Sequence, residues 1–152
     1  MQNLKPILLV EDDTVDAMTF KRTLKELEIR NPVVHLFNGE EALEYLRTEG
    51  NEEPCFIFLD LNMPRMNGIE FLEVAKADET LRRIPVVVLT TSDNERDVIE
   101  SFNLGVAGYM VKPADYHEFV EAIRTINLYW SLSKLPQGEP RRERQPVQST
   151  VD

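Results

Sequence analysis

Short apolar runs recur along the chain and are separated by longer segments of mixed character. There are five such runs: Pro6 to Val10, Val33 to Phe37, Cys55 to Leu59, Val86 to Thr90 and Gly108 to Val111. Three of them are rich in Val and Ile and almost continuous, as strands buried on both faces are. The pattern predicts five strands in a sheet that is covered on both sides.

The segments that follow the runs are helical in character. They cover Thr14 to Ile29, Gly39 to Arg47, Ile69 to Lys76, Glu95 to Leu104 and Asp115 to Trp130. Apolar positions of the first are Val15, Met18, Leu24 and Leu27. Polar residues able to cap a helix stand near four of the starts: Asn38, Asn67, Asp93 and Asp115. Repeated strand–helix units predict an α/β fold with a parallel sheet, right-handed crossovers and helices on both faces.

Charged and hydroxyl residues gather where the predicted strands end. Glu11, Asp12 and Asp13 follow the first strand, Asp60 the third, Thr90 and Thr91 close the fourth, and Lys112 follows the fifth. Ligands of parallel sheets bind outside the carboxyl ends of the strands, so these residues are expected to share one site.

Neighbouring carboxylates repel one another unless a cation lies between them. Mg²⁺ takes one or two carboxylates together with waters and phosphate oxygens. Asp13 and Asp60 are expected to supply such ligands, with the backbone carbonyl of Asn62 as a third. A carboxylate beside a metal ion, a lysine and a threonine is also a set for phosphoryl transfer, in which Asp60 is the nucleophile.

Four motifs at these strand ends closely resemble the receiver domain of bacterial two-component response regulators. They are LLVEDD, FLDLNMPRMNG, LTTS and GYMVKP, and the likeness covers residues 4 to 128. The resemblance implies a flavodoxin-like (βα)5 sandwich with strand order 2-1-3-4-5. It also implies Asp12 and Asp13 as metal-site carboxylates, Asp60 as the residue phosphorylated by a sensor histidine kinase with Mg²⁺, Thr90 and Tyr109 as switch residues, and Lys112 as the phosphate-binding lysine.

A contact face is expected on the fourth helix and the last strand. Val98 and Phe102 are four residues apart and share a helix face, which Val106 and Tyr109 continue. Ile99 is better placed to face the core. In the family this face is usually exposed to solvent, so an apolar set here favours self-association or a partner.

The end of the fifth helix is more aromatic than a single buried stripe requires. Phe119, Ile123, Ile126 and Trp130 account for the core face, which leaves Leu128 and Tyr129 unexplained. This ending resembles that of the small response regulators paired with bacterial phytochrome kinases, which form homodimers. The resemblance implies a homodimer through the fourth helix, fifth strand and fifth helix, and a phytochrome kinase as partner.

Composition excludes several classes of function. A formal net charge of −10 argues against a nucleic-acid surface, which needs clustered Lys and Arg. Cys55 is the one cysteine of the sequence, so an internal disulfide is impossible. The N-terminus lacks a signal peptide and no run is long enough to span a membrane, which predicts a cytoplasmic protein.

Two regions are expected: a receiver over residues 1–132 and a flexible C-terminal tail over 133–152, rich in Pro, Gln and Arg. A DNA-binding output domain would need about 60 further residues, so the output is expected to be a protein contact. No enzymatic activity is expected beyond the protein's own phosphorylation and dephosphorylation.

Two alternatives remain open. An aspartyl-phosphate phosphohydrolase also uses Asp, Thr, Lys and acidic metal ligands, but its nucleophile normally follows the first strand and is itself followed two residues later by a second acid. Here the residue two positions after Asp60 is Asn62. The other alternative is a receiver-like adaptor that is never phosphorylated. Phosphorylation of the wild type, but not of Asp60→Asn, would exclude the adaptor.

Overall fold

Five parallel strands alternate with five helices along the chain. The structure, a computed structural model, describes residues 4–132, with side chains as far as residue 128. The strands are β1 (Ile7–Val10), β2 (Val33–Leu36), β3 (Phe56–Leu59), β4 (Val86–Thr90) and β5 (Gly108–Val111). The helices are α1 (Thr14–Glu26), α2 (Gly39–Arg47), α3 (Gly68–Ala77), α4 (Glu95–Asn103) and α5 (Tyr116–Leu132), and a short 3-10 turn spans Leu81–Arg83.

The strand order is β2-β1-β3-β4-β5, which confirms the predicted fold class. Alternate residues of each central strand face opposite layers of helices. In β1, Leu8 and Val10 belong to one apolar cluster, while Ile7 and Leu9 belong to the other. All residues of β1 and β4 are buried, whereas the edge strands β2 and β5 are half-buried or partly exposed. The core therefore lies on both sides of a sheet whose centre is β1, β3 and β4.

Helix α1 buries a different stripe from the one the sequence predicted. Val15 and Met18 are 69% and 68% exposed, whereas Ala17, Phe20 and Leu24 are buried against the sheet. The buried residues are three and four apart, and they form a stripe that excludes both Val15 and Met18. The helix also ends at Glu26 rather than at Ile29, because Glu28 has a φ of 60° that a right-handed helix does not allow.

Helix α4 also differs from the expectation. Ile99 is 52% exposed and does not face the core, and Val106, predicted on the contact face, is 7% exposed and lies within the apolar core. Ser101 is the residue of α4 that is fully buried, so the helix places a small side chain against the sheet. Its N-cap is Asn94 rather than the neighbouring Asp93, since the Asn94 side chain accepts from the first free backbone N–H groups.

The other predicted helix caps are present. The Asn38 side chain accepts from Glu41 N, Asn67 forms a reciprocal capping box with Glu70, and the Asp115 carboxylate accepts from His117 N at 3.1 Å. The predicted tail over 133–152 and the side chains of 129–132 lie outside the described residues, so the expected core role of Trp130 stays a prediction.

Gly68 fixes the loop that follows β3. Its N–H donates to the carbonyl of Leu61 at 3.0 Å, which folds the loop back onto the first turn of α3. A Cβ atom at this position would lie 2.5 Å from the Asp60 carbonyl oxygen and 2.8 Å from the Leu61 Cα. Both neighbours are backbone atoms, so a side chain at residue 68 would displace the segment that carries Asp60.

We expect Gly68→Ala to lower the free energy of unfolding by about 2 kcal/mol or more, because the backbone of Asp60 and Leu61 has to move. Gly108→Ala is the matched control: its Cβ would meet only the Val87 Cγ1 atom, at an ordinary 3.9 Å. That variant should stay within about 0.5 kcal/mol of the wild type in urea unfolding. Equal losses of unfolding free energy in both variants would show that the backbone of Asp60 and Leu61 does accommodate a side chain at residue 68.

Candidate functional site

The pairing of the strands brings their carboxyl ends to one edge of the sheet. Val10 pairs with Leu59, and Thr90 pairs with Val111. The N–H of Asp60 donates to the Val10 carbonyl at 3.0 Å, and the N–H of Lys112 donates to the Thr90 carbonyl at 2.7 Å. Backbone hydrogen bonds therefore fix the positions of Asp60 and Lys112 independently of their side-chain contacts.

Three carboxylates lie together at this edge. Glu11, Asp12 and Asp60 each offer an oxygen, and these oxygens all lie within 4.8 Å of one another. Glu11 and Asp60 are 3% and 7% exposed, while Asp12 is open to solvent. Burial raises the pKa of Glu11 to about 7, and the nearby charge of Asp60 adds to the rise although Lys112 opposes it. These three carboxylates thus carry more negative charge than one neighbouring lysine can neutralise.

Lys112 is the cation of this site. Its Nζ lies 2.6 Å from Glu11 Oε1, 2.7 Å from Asp16 Oδ2 and 3.7 Å from Asp60 Oδ2. Burial acts to lower the pKa of Lys112, but hydrogen bonds to Asp16 and Glu11 and the charge of Asp60 outweigh it and raise the pKa. The ammonium is therefore held charged among carboxylates, two of which are buried.

Asp13, predicted as a metal-site carboxylate, lies elsewhere. Its side chain caps α1 by accepting from the N–H of Asp16 at 3.0 Å, and it is exposed. Glu11 takes its place in the cluster, because β1 ends at Val10 and the next residue still follows the strand toward the site. Because three acids follow one another, the sequence does not show directly which two of them reach the site. The apolar run ends at Val10, and this was the signal that favours Glu11.

Thr90 and Tyr109 lie on neighbouring strands and meet at Ser92. Thr90 is fully buried, and its Oγ1 accepts from the N–H of Ser92 at 3.3 Å. The hydroxyl of Tyr109 donates to the Ser92 carbonyl at 2.9 Å, and the Ser92 hydroxyl donates to Asp97 of α4 at 2.7 Å. Burial raises the pKa of Tyr109, so the phenol stays protonated and remains a donor. The strand end and α4 are therefore linked through one serine.

The oxygen donors of the cluster fit a hard divalent cation. Several carboxylate oxygens at a water-accessible edge suit the preference of Mg²⁺ for oxygen ligands and retained waters. The N–H of Asn62 lies 3.4 Å from Asp60 Oδ1, which sets the loop backbone beside the carboxylate. The role predicted for the Asn62 carbonyl stays a prediction.

Comparison with known proteins identifies the family. Residues 7–124 match the response regulator receiver domain, and the chain belongs to this family. This membership favours the receiver interpretation over the phosphohydrolase alternative. None of the helices within residues 4–132 combines the length and the apolar character needed to cross a membrane.

Similar proteins include phytochrome response regulators. Response regulator Rcp1 of Synechocystis sp. is 39% identical over an alignment of 130 residues, and the match covers 83% of this chain and 88% of Rcp1. The phosphorylated cyanobacterial phytochrome response regulator RcpA has a crystal structure with a TM-score of 0.82 and 38% identity, covering 89% of this chain and all of RcpA. The Mn²⁺-bound form of Rcp1 has a TM-score of 0.80 and 38% identity, covering 88% of this chain and 99% of that one.

We expect Lys112→Ala to destabilise the metal-free protein by about 3 kcal/mol at pH 8, because Glu11 and Asp60 lose their counterion. The pKa of Glu11 in the folded protein, about 7, exceeds its ordinary 4.5. Its protonated form therefore stabilises the fold below about pH 4.5, and this stabilisation is lost as the pH rises through 7. Loss of Lys112 raises that pKa further, so the deficit relative to the wild type should grow from pH 5 to pH 8.

Urea unfolding at the two pH values measures this deficit. The double variant Glu11→Gln/Lys112→Ala is the control, because it removes both members of the pair and should flatten the pH dependence. A deficit that is the same at pH 5 and pH 8 would show that Lys112 does not stabilise the fold through the charge of Glu11.

Proposed function

We propose that Asp60 accepts a phosphoryl group from the phosphohistidine of a sensor histidine kinase in a Mg²⁺-dependent reaction. The observation that carries the proposal is the position of Asp60: buried at the carboxyl end of a central strand, within a carboxylate cluster and 3.7 Å from the Lys112 ammonium. A carboxylate so placed lies beside an ammonium and beside oxygen ligands that suit a divalent cation, and these two positive charges would neutralise a phosphoryl group.

The transfer needs no further co-reactant. An Asp60 carboxylate oxygen attacks phosphorus, the phosphorus–nitrogen bond to histidine breaks, and the imidazole leaves with the bonding electrons and takes up a proton. Water later attacks the acyl phosphate and returns a carboxylate and inorganic phosphate. The catalysis we propose is confined to these two events on the protein itself.

Each neighbouring side chain has a separate part in this chemistry. The Lys112 ammonium approaches a phosphoryl oxygen, and the Thr90 hydroxyl donates a hydrogen bond to another. Asp12 and Asp60, with the Asn62 carbonyl, would hold the metal ion, and Glu11 holds the ammonium. When bound, Mg²⁺ supplies positive charge to the phosphoryl oxygens and so lowers the repulsion between carboxylate and phosphate.

The signal passes from Thr90 to α4 through a shift between two packings. Movement of Thr90 toward the phosphoryl group alters its contact with Ser92, which holds both the Tyr109 hydroxyl and Asp97 of α4. Since phosphate contacts favour one arrangement of these residues, phosphorylation changes the populations rather than creating a new state.

We further propose a kinase of the phytochrome type as partner and a homodimer through α4, β5 and α5. Support for the pairing surface comes from Phe102, which is 50% exposed, and from an apolar groove of about 510 Å³ beside Tyr109, Met110 and Ile126. Val98 and Tyr109, two other residues of the predicted contact face, are half-buried. Val106 is buried and does not contribute directly.

Incubation with phosphoramidate, a small donor with a phosphorus–nitrogen bond, tests the proposal for Asp60. Intact-protein mass spectrometry should detect one added phosphoryl group on the wild type with Mg²⁺, and none after chelation of the metal or in Asp60→Asn. Asp12→Asn should need at least about tenfold more Mg²⁺. Asp13→Asn should need the same amount as the wild type, since Asn also caps a helix. A folded wild type that gains no phosphoryl group at saturating Mg²⁺ would contradict the proposal.

Light scattering tests the dimer. Phe102→Ser removes an exposed aromatic ring from the proposed interface and should shift the protein toward monomer, both with and without beryllofluoride. Phe37→Ser is the matched control, because Phe37 is 40% exposed beside β2, at the opposite edge of the sheet. A wild type that is monomeric at high concentration in both conditions would exclude the dimer.

A further inference from the structure

The Lys112 ammonium has a partner outside the carboxylate cluster. Its Nζ lies 2.7 Å from Asp16 Oδ2, which is the distance of a charge-assisted hydrogen bond. The distance to Asp60 Oδ2 is 3.7 Å, which is too long for a hydrogen bond. In this structure the lysine is thus bound to Glu11 and Asp16, and not to the carboxylate that we propose to be phosphorylated.

Helix α1 holds Asp16 in this position. Asp16 lies in the first turn, and its N–H donates to the capping carboxylate of Asp13 at 3.0 Å. Its side chain borders a cavity of about 410 Å³ between α1 and α5, which Lys112 and Tyr116 also line. A side chain that borders open space can change its direction without rearranging the packed core.

The two partners of Lys112 differ in what their release would cost. The Glu11 side chain is 4% exposed, so leaving it charged without the ammonium would be expensive. The Asp16 side chain is 42% exposed, and water can replace the ammonium there. When a phosphoryl group competes for Lys112, Asp16 is therefore the partner that is given up.

We infer that Asp16 is a positioning residue, which holds the Lys112 ammonium short of Asp60 and thereby lowers the affinity of the site for a phosphoryl group. The inference rests on the proposed phosphorylation of Asp60. A contact that exists only in the unphosphorylated state favours that state by the free energy of the contact. Asp16 thus shifts the equilibrium between the phosphorylated and unphosphorylated protein toward the unphosphorylated form.

Titration of the full chain with beryllofluoride, at saturating Mg²⁺, tests this role. Asp16→Asn keeps the size of the side chain and removes its charge, so it should bind beryllofluoride roughly threefold to fivefold more tightly than the wild type. Its affinity for Mg²⁺ alone should be equal or weaker, since a negative charge has been lost. A merely structural role would weaken both. Asp16→Glu restores the carboxylate and should return the beryllofluoride affinity to within about twofold of the wild type.

Asp13→Asn is the matched control, because it removes the same charge from the same end of α1 without touching Lys112. Beryllofluoride binding to Asp16→Asn that is no tighter than to the wild type, in a variant that unfolds at a normal urea concentration, would overturn the inference. An equal gain in Asp13→Asn would overturn it too, by showing a general charge effect. A wild type that binds no beryllofluoride would overturn the proposed function as well, which separates the two failures.

Discussion

The ammonium of Lys112 is the group on which the carboxyl edge of the sheet depends. Glu11 and Asp60 are buried there with an exposed third carboxylate beside them, and such a cluster repels itself unless cations lie within it. Lys112 contacts Glu11 and Asp16 directly and approaches Asp60. The carboxyl edge therefore carries negative charge that Lys112 neutralises only in part, and a divalent cation bound there would stabilise it further.

The sheet creates this arrangement, because parallel strands deliver every carboxyl end to one side. β1, β3 and β4 are the most buried elements, and their ends carry Glu11, Asp60 and Thr90. Rigid strands fix these side chains, while the loop after β3 is folded back at Gly68, whose N–H donates to the Leu61 carbonyl. The same constraints that stabilise the core thus fix the surroundings of Asp60, which a mobile loop would not keep in place.

The sequence predicted the strands and helices well, because buried parallel strands produce continuous apolar runs and helix caps such as Asn67 are local signals. It also indicated that Asp60 and Lys112 converge, since both follow strands. It misassigned Asp13 because adjacent acids look alike until the end of β1 is known. Ile99 was wrongly predicted to face the core, because helical spacing does not say which face of a helix meets the sheet. The contact between Asp16 and Lys112 joins residues 96 apart and therefore has no local signal in the sequence.

A crystal structure of the full chain with Mg²⁺ and beryllofluoride tests most directly whether Lys112 leaves Asp16 for a group bound to Asp60. We expect beryllium bound to a carboxylate oxygen of Asp60, with Lys112 Nζ within hydrogen-bond distance of a fluoride and no longer in contact with Asp16. Beryllofluoride on another carboxylate, or Lys112 still bound to both Glu11 and Asp16 beside an occupied Asp60, would contradict it.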